Sequence, residues 1–317
     1  MAAALANPVM RRLLRVPPAY YVFAALLMVL WIARPNMLNL NIMGIFVRQI
    51  VPLGILVLGQ LLVMRVRSID LSGGGVILLI NYTISSGVFP GASMAFFIVL
   101  ALAIGLAVGF FNGLMVGVRR VSAVIVTLAV GIVLVGVVQY LSSGKPPGDV
   151  PGMFADIYNT KLGPAPTPVI FWVVVSAALS LFLSRTVFGR YVTSVGENVQ
   201  AAHFSGVPVA RTVVLAHTLA GLFAGIAALV QTASIAVGSV RVGLDLPIMA
   251  VAATILGGVV FGRGEGGVWG PFFGVLSFAL LFVVMTTFGV DEPGKLIAQG
   301  LIILLAAIFY GIRTRSS

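Results

Sequence analysis

The sequence predicts an all-α polytopic membrane protein, a single transmembrane domain over residues 1–317. Three observations predict it. The 317 residues are 60% hydrophobic and only 9% charged, with a mean hydropathy of +1.15. The apolar residues fall in long runs, and about 20 such residues cross about 30 Å of hydrocarbon. The 37 glycines suit helices in lipid, where small residues let backbones approach closely.

The runs follow in order. Arg11, Arg12 and Arg15 precede the first, over 19–33, which Arg34 and Pro35 close. This start resembles a signal peptide, but no small-residue cleavage site is clear and further runs follow. It reads as an uncleaved span behind an N-terminal tail, 1–18. The second run, 42–64, contains Arg48 and Pro52 and stops at Arg65 and Arg67. After Ser68-Ile69-Asp70-Leu71-Ser72 and three glycines comes a run over 76–88, then a Pro90-Gly91 turn. Runs over 93–118 and 122–141 follow, separated by Arg119 and Arg120. The proline-rich stretch 142–168 carries Lys145, Asp149, Asp156 and Lys161. Runs over 169–183, 212–237, 247–262, 268–288 and 296–310 complete the chain. By length these make about ten spans.

Basic residues set the orientation, because Lys and Arg gather on the cytoplasmic side. With the N-terminus inside, the cytoplasmic segments receive Arg11, Arg12, Arg15, Arg65, Arg67, Arg119, Arg120, Arg185, Arg190, Arg211, Arg263, Arg313 and Arg315. The outside receives Arg34, Lys145, Lys161, Arg241 and Lys295. Both termini are then cytoplasmic, 142–168 is a periplasmic loop, and 195–211 is cytoplasmic. The net charge of +11 is spent at span ends and implies the lipid bilayer as partner, not nucleic acid.

Segment 195–211 is weakly hydrophobic and lies between two apolar runs. Glu197 and Asn198 can cap a helix start. Gly206 can end that helix in a left-handed conformation, and Pro208 keeps it from continuing. A helix of roughly two turns is unstable alone in water. Its small face, Ala201, Ala202, Ser205 and Gly206, suits docking against another protein.

Chemistry is scarce. The chain has two histidines and no cysteine, and no HExxH, GxSxG or paired intramembrane aspartates. This disfavours an enzyme or a metal site and implies no cofactor in this chain. Gly262-Arg263-Gly264-Glu265-Gly266-Gly267 spells a dinucleotide fingerprint, but an apolar helix precedes it and no βαβ unit surrounds it, so it reads as a tight turn. Gly144-Lys145 and Gly294-Lys295 are not P-loops. If ATP drives transport, its hydrolysis belongs to another polypeptide. Asp70 is a candidate for the translocation path or gate, since an acid near the bilayer is functional by default. The plainer and preferred reading is that Asp70 or Ser72 caps the next helix. Arg48 either lines a polar cavity or snorkels to the outer surface. Asn81, Asn112, Thr127, Gln139, Gln231 and Gln299 face a path or glue helices together, glue being preferred for each. His217 reads as a helix-packing hydrogen bonder. Asp70, Asp245 and Glu265 fall at the ends of runs, which argues against a proton- or sodium-driven secondary carrier working alone.

Gly189-Arg190-Tyr191, Gly196-Glu197-Asn198, Ala201-Ala202 and Ser205-Gly206-Val207 together resemble the GRY…VGxNxxAAxxSGI motif of bacterial ABC importer permeases of the ribose/monosaccharide type. Gly59-Gln60 with Ile69-Asp70-Leu71-Ser72 resembles their GQ…GIDLS element. Phe111-Asn112-Gly113-Leu114 resembles NGLL. Leu244-Asp245, Ala250 to Ala253 and Leu256-Gly257-Gly258 resemble ELDAIAAVVLGG, and 262–270 resembles the turn that follows it. The resemblance covers roughly residues 45 to 310. It implies a ten-span permease subunit that dimerises, takes its solute from a periplasmic solute-binding protein and couples through Glu197–Gly206 to an ABC ATPase subunit. Such relatives carry pentoses, hexoses or related polyols, and permeases for branched-chain amino acids or nucleosides share the superfamily. Three departures stand out. Met64-Arg65-Val66-Arg67-Ser68 replaces an apolar or Thr-Gly-Gly stretch, three glycines follow IDLS, and Gly243 replaces the acid before Leu244-Asp245.

Overall fold

The computed structural model describes residues 16–291, 293–302 and 304. Helix α1 (Pro18–Ala33) opens with proline in its first turn, where the missing N–H costs nothing. Helix α2 (Leu40–Arg65) starts at Asn39, whose side chain accepts from the Asn41 N–H, and holds Pro52 in its interior. Helix α3 (Gly73–Ser85) is half as long. Helix α4 (Met94–Gly113), capped by Ser93, runs on into a π turn at Leu114–Val118. Helix α5 is Ala123–Ser142.

The expected outer loop is ordered. It holds helix α6 (Gly152–Asn159) and a two-stranded antiparallel hairpin, β1 (Lys161–Leu162) with β2 (Ala165–Pro166). Helix α7 (Thr167–Arg185), α8 (Val187–Glu197) and the six-residue α9 (Val199–Phe204) lead into α10 (Val209–Ile235). Helix α11 (Leu246–Leu256) and α12 (Trp269–Thr287) follow, and residues 293–302 are helical.

Among the described residues, six helices are long and apolar enough to cross a membrane: α2, α4 with its π turn, α5, α7, α10 and α12. Helices α1, α3 and α11 are apolar but shorter. The runs read as full spans over 76–88 and 247–262 are thus partial helices, because composition reports apolar character but not where a helix begins. Arg11, Arg12, Arg15, Arg313, Arg315 and residues 303 and 305–310 of the last expected span lie outside the described residues.

Helices α2 and α10 form the centre. Every residue of α2 from Ile50 to Met64 is buried, whereas α5 buries only Thr127, Gly131 and Val138. The apolar residues that α5 exposes, such as Ile125 and Ile132, make it peripheral. Helix α4 packs on α10 backbone to backbone through Gly105, Gly109 and Gly221. A methyl group on Gly109 would strike the His217 carbonyl oxygen, and one on Gly221 would strike that of Gly105.

Segment 236–245 leaves the end of α10 and descends beside α3. Val150 N–H donates to the Ala236 oxygen, and Gly238 N–H to the Gly148 oxygen, which fixes its start against the 142–168 stretch. Ser239 N–H then donates to Asn81 Oδ1 at 2.9 Å, one turn from the end of α3. Gly243 rests on Ile77, and its carbonyl meets Gly74 in the first turn of α3. The starts of the two short helices, α3 and α11, are therefore neighbours.

Candidate functional site

Segment 195–211 divides differently from expectation. Glu197 does not cap the short helix; it is the last residue of α8. Asn198 alone caps α9, its Oδ1 accepting from the N–H groups of Gln200 (2.9 Å) and Ala201 (3.0 Å). Gly206 takes φ +80°, where a glycine avoids the Cβ clash, and its N–H bonds the His203 oxygen. Pro208 stands just before α10. The expected small face is split: Ala202 turns into the protein, whereas Ala201, Ser205 and Gly206 are exposed. Between them Phe204, a residue the motif left unremarked, is 87% exposed. A lone aromatic in a helix of small residues was its sequence signal.

The Arg65-Val66-Arg67 departure ties this segment to the rest. Arg65 donates through Nε to the Gly264 oxygen (3.1 Å) and through an Nη to Thr193 Oγ1 (2.6 Å). Arg67, in the left-handed region at φ 64°, donates through Nε to the oxygens of Gly196 and Gly262, both at 3.0 Å. Gly196 is in the last turn of α8, where orphaned carbonyls and the helix dipole favour a cation. The end of α2, the end of α8 and the 262–264 turn thus form one block. The fingerprint-like glycines make that turn, with positive φ at Gly262, Gly264 and Gly266.

The chain then turns back into the protein through a buried polar node. Asp70 Oδ1 accepts from Ser72 N–H (2.8 Å) and Ser72 Oγ (2.6 Å). Ser72 is the residue before α3, yet its side chain makes no capping bond there. Instead, Asn112 Nδ2 on α4 donates to Ser72 Oγ at 2.9 Å, while Asn112 Oδ1 has no partner. Leu71 N–H donates to Thr127 Oγ1 on α5 (3.0 Å). Ser68 Oγ and His217 Nε2 share a hydrogen bond of 2.7 Å, and His217 Nδ1 lies 3.8 Å from Asp70 Oδ2. One short segment is thereby bonded to α4, α5 and α10. Neither caps α3 as expected: Asp70 bonds Ser72 two residues on, and Ser72 Oγ takes the distant Asn112.

Ser68, His217 and Asp70 are the residue types of a hydrolase triad, but their arrangement does not make one. Ser68 and His217 are buried, so no substrate reaches the hydroxyl. The 3.8 Å His–Asp separation is too long for the hydrogen bond that orients a catalytic imidazole. The node joins helices.

The other candidates lie apart. Asn81 on α3 is buried, donating to Thr232 Oγ1 and the Val237 oxygen, both at 3.3 Å. Arg48 lies in the first half of α2, beside the end of α6. Its guanidinium lies 5.4 Å from the Tyr158 ring centroid and donates to Asn159 Oδ1 at 3.0 Å, and Tyr158 Oη donates to the Arg48 oxygen. Burial pushes the Tyr158 hydroxyl above its ordinary value, with Arg48 pulling the other way, so the phenol stays a donor.

Helices of spanning length and glycine-packed backbones define a multi-pass membrane protein. Residues 42–307 match the family described as branched-chain amino acid transport system / permease component, and the chain belongs to that family. It is similar to the ribose import permease protein of Escherichia coli (strain K12), 29% identical over 86% of this chain and 87% of the relative. It is 31% identical to the autoinducer 2 import system permease protein of Enterobacter sp. (strain 638), over 92% of this chain and 85% of the relative. The ribose import permease protein of Bacillus subtilis (strain 168) is 29% identical over 89% and 88%. No solved structure matches the chain. The resemblance read from the GRY, IDLS and NGLL elements and the family match agree over nearly the same residues.

Proposed function

We propose that the chain is the permease subunit of an ATP-binding-cassette importer in a bacterial inner membrane, carrying a monosaccharide-like solute handed over by a periplasmic binding protein. Relatives named for ribose and autoinducer 2 import support the solute class. The family description names branched-chain amino acids, and the ligand of a partner binding protein would decide between the two. In this reading the chain has about ten spans with both termini in the cytoplasm. Loop 142–168 is periplasmic, and ATP is hydrolysed by a separate ATPase subunit. The permease itself needs no cofactor and pairs with a second permease.

The observation that carries the reading is α9, a short capped helix whose Phe204 side chain is 87% exposed, with the His203 ring 6.0 Å to one side. As ATP closes the ATPase dimer, a groove on each subunit would draw α9 with it. Gly206 and Pro208 pass the movement to α10. The Arg65–Arg67 block passes it to α2, and the spans rock between outward and inward openings.

Phe204→Asp tests this. Burying a phenyl ring contributes about 2–3 kcal/mol, so the variant inserts normally while ATPase co-purification falls more than about tenfold. Undiminished association would remove α9 from the coupling role.

A further inference from the structure

We propose that Asp245 stands in a water-filled solute path half-way through the membrane, on the face this subunit turns toward a second copy of the chain. The proposal rests on the permease reading above and adds to it a residue and a location.

Depth comes from helix lengths. The segment 236–245 begins at the outer loop, beside the end of α3, and reaches the first turn of α3 where Gly74 meets Gly243 and Leu244. Along α3 that descent is about 16 Å, at 1.5 Å per residue. From there α11 continues for 11 residues to Leu256, again about 16 Å, and residues 257–261 lead on to the turn that Arg65 and Arg67 hold. Asp245 lies at the junction, near the middle of about 30 Å of hydrocarbon. Asp245 stands at the end of its helix, as the sequence reading has it, but on this proposal that end lies at mid-membrane rather than at the surface.

Exposure is the second observation. Asp245 is exposed on the side of the molecule, and its side chain makes no capping bond to α11. Among the described residues nothing pairs with its carboxylate. Val237, Arg241 and Leu244 before it and Ile248 after it are exposed too, so this stretch of chain offers an uncovered edge. A carboxylate facing hydrocarbon at that depth is expensive. Water and protein must therefore face this edge. A second copy fits because Arg241 and Asp245 are opposite in charge, and a two-fold axis sets such an edge against itself. Asp245 accepts hydrogen bonds from hydroxyls and Arg241 donates them, the pairing that a neutral polyhydroxylated solute presents.

The chain has no cysteine, so single substitutions report cleanly. Asp245→Cys, Ile248→Cys and Val174→Cys, the last on the outward side of α7, would each be treated with a membrane-impermeant methanethiosulfonate in proteoliposomes of the full transporter. The thiolate is the reacting species and needs water. Asp245→Cys and Ile248→Cys are expected to react about tenfold or more faster than Val174→Cys. Ile248→Cys keeps the charge and guards against a folding defect. Rates as slow as that of Val174→Cys at both sites would overturn the proposal, whether lipid or dry protein covers the edge. The importer reading fails separately, through unaltered ATPase association in Phe204→Asp, and leaves the accessibility result standing.

Discussion

At the scale of single residues, Asp70 bonds locally to Ser72, but its other neighbour, His217, is one that no local pattern could name. Ser68 and His217 are 149 positions apart, and the histidine lies beside Asp70 only because α10 packs on α2. The sequence marked Asp70 as exceptional, an acid in an apolar chain, but local spacing suggested a cap. The capping residue that was legible is Asn198, because an N-cap needs only its own next three residues. Removing the Asp70 carboxylate should be costly. Asp70→Ala strands the Ser72 N–H and hydroxyl in a buried site, at about 1–3 kcal/mol, and should lower the unfolding temperature in detergent. Asp70→Asn keeps an acceptor at Oδ1 and should lose less. Equal melting of the two variants would show that the node is not held by that oxygen.

At the scale of elements, the long helices were readable because twenty apolar residues in a row have few other uses. The short ones were not. Helices α3 and α11 are as apolar as true spans, and their lengths depend on where 66–72 and 236–245 turn back. Both turns carry an acid followed by leucine, Asp70-Leu71 and Asp245-Leu246, a likeness that shows only once the helices are seen to start side by side. The glycine-rich character of α4 was legible, its partner was not. Gly109→Val pushes a branched side chain into the α10 backbone at His217. Strain of this kind costs about 1–3 kcal/mol. Purified variant should show a lowered melting temperature by fluorescence and a reduced monodisperse yield, while Gly136→Val, whose site is open, should not.

At the scale of the whole molecule, the cation pattern predicts sidedness and the fold supplies accessible places to read it. Lys161 in the hairpin and Gln200 in α9 are both exposed and lie on opposite ends of the helix bundle. Lys161→Cys should label from outside intact cells, and Gln200→Cys only after the membrane is opened. Labelling of both from outside would reverse the arrangement that puts α9 beside an ATPase. The short helix α9 was legible because its cap and its stop signals are contiguous in sequence. The three-way block of Arg65, Arg67, Thr193 and Gly264 was illegible because its members come from three separate stretches.

The bond from Ser239 to Asn81 bears on how such a chain is made. A ribosome delivers α3, with its buried asparagine, long before it delivers the segment that supplies Ser239, Thr232 and Val237 as partners. A chain truncated before residue 232 leaves the Asn81 amide buried without them, at about 1–3 kcal/mol, and is expected to accumulate in the membrane to a lower level than the full chain.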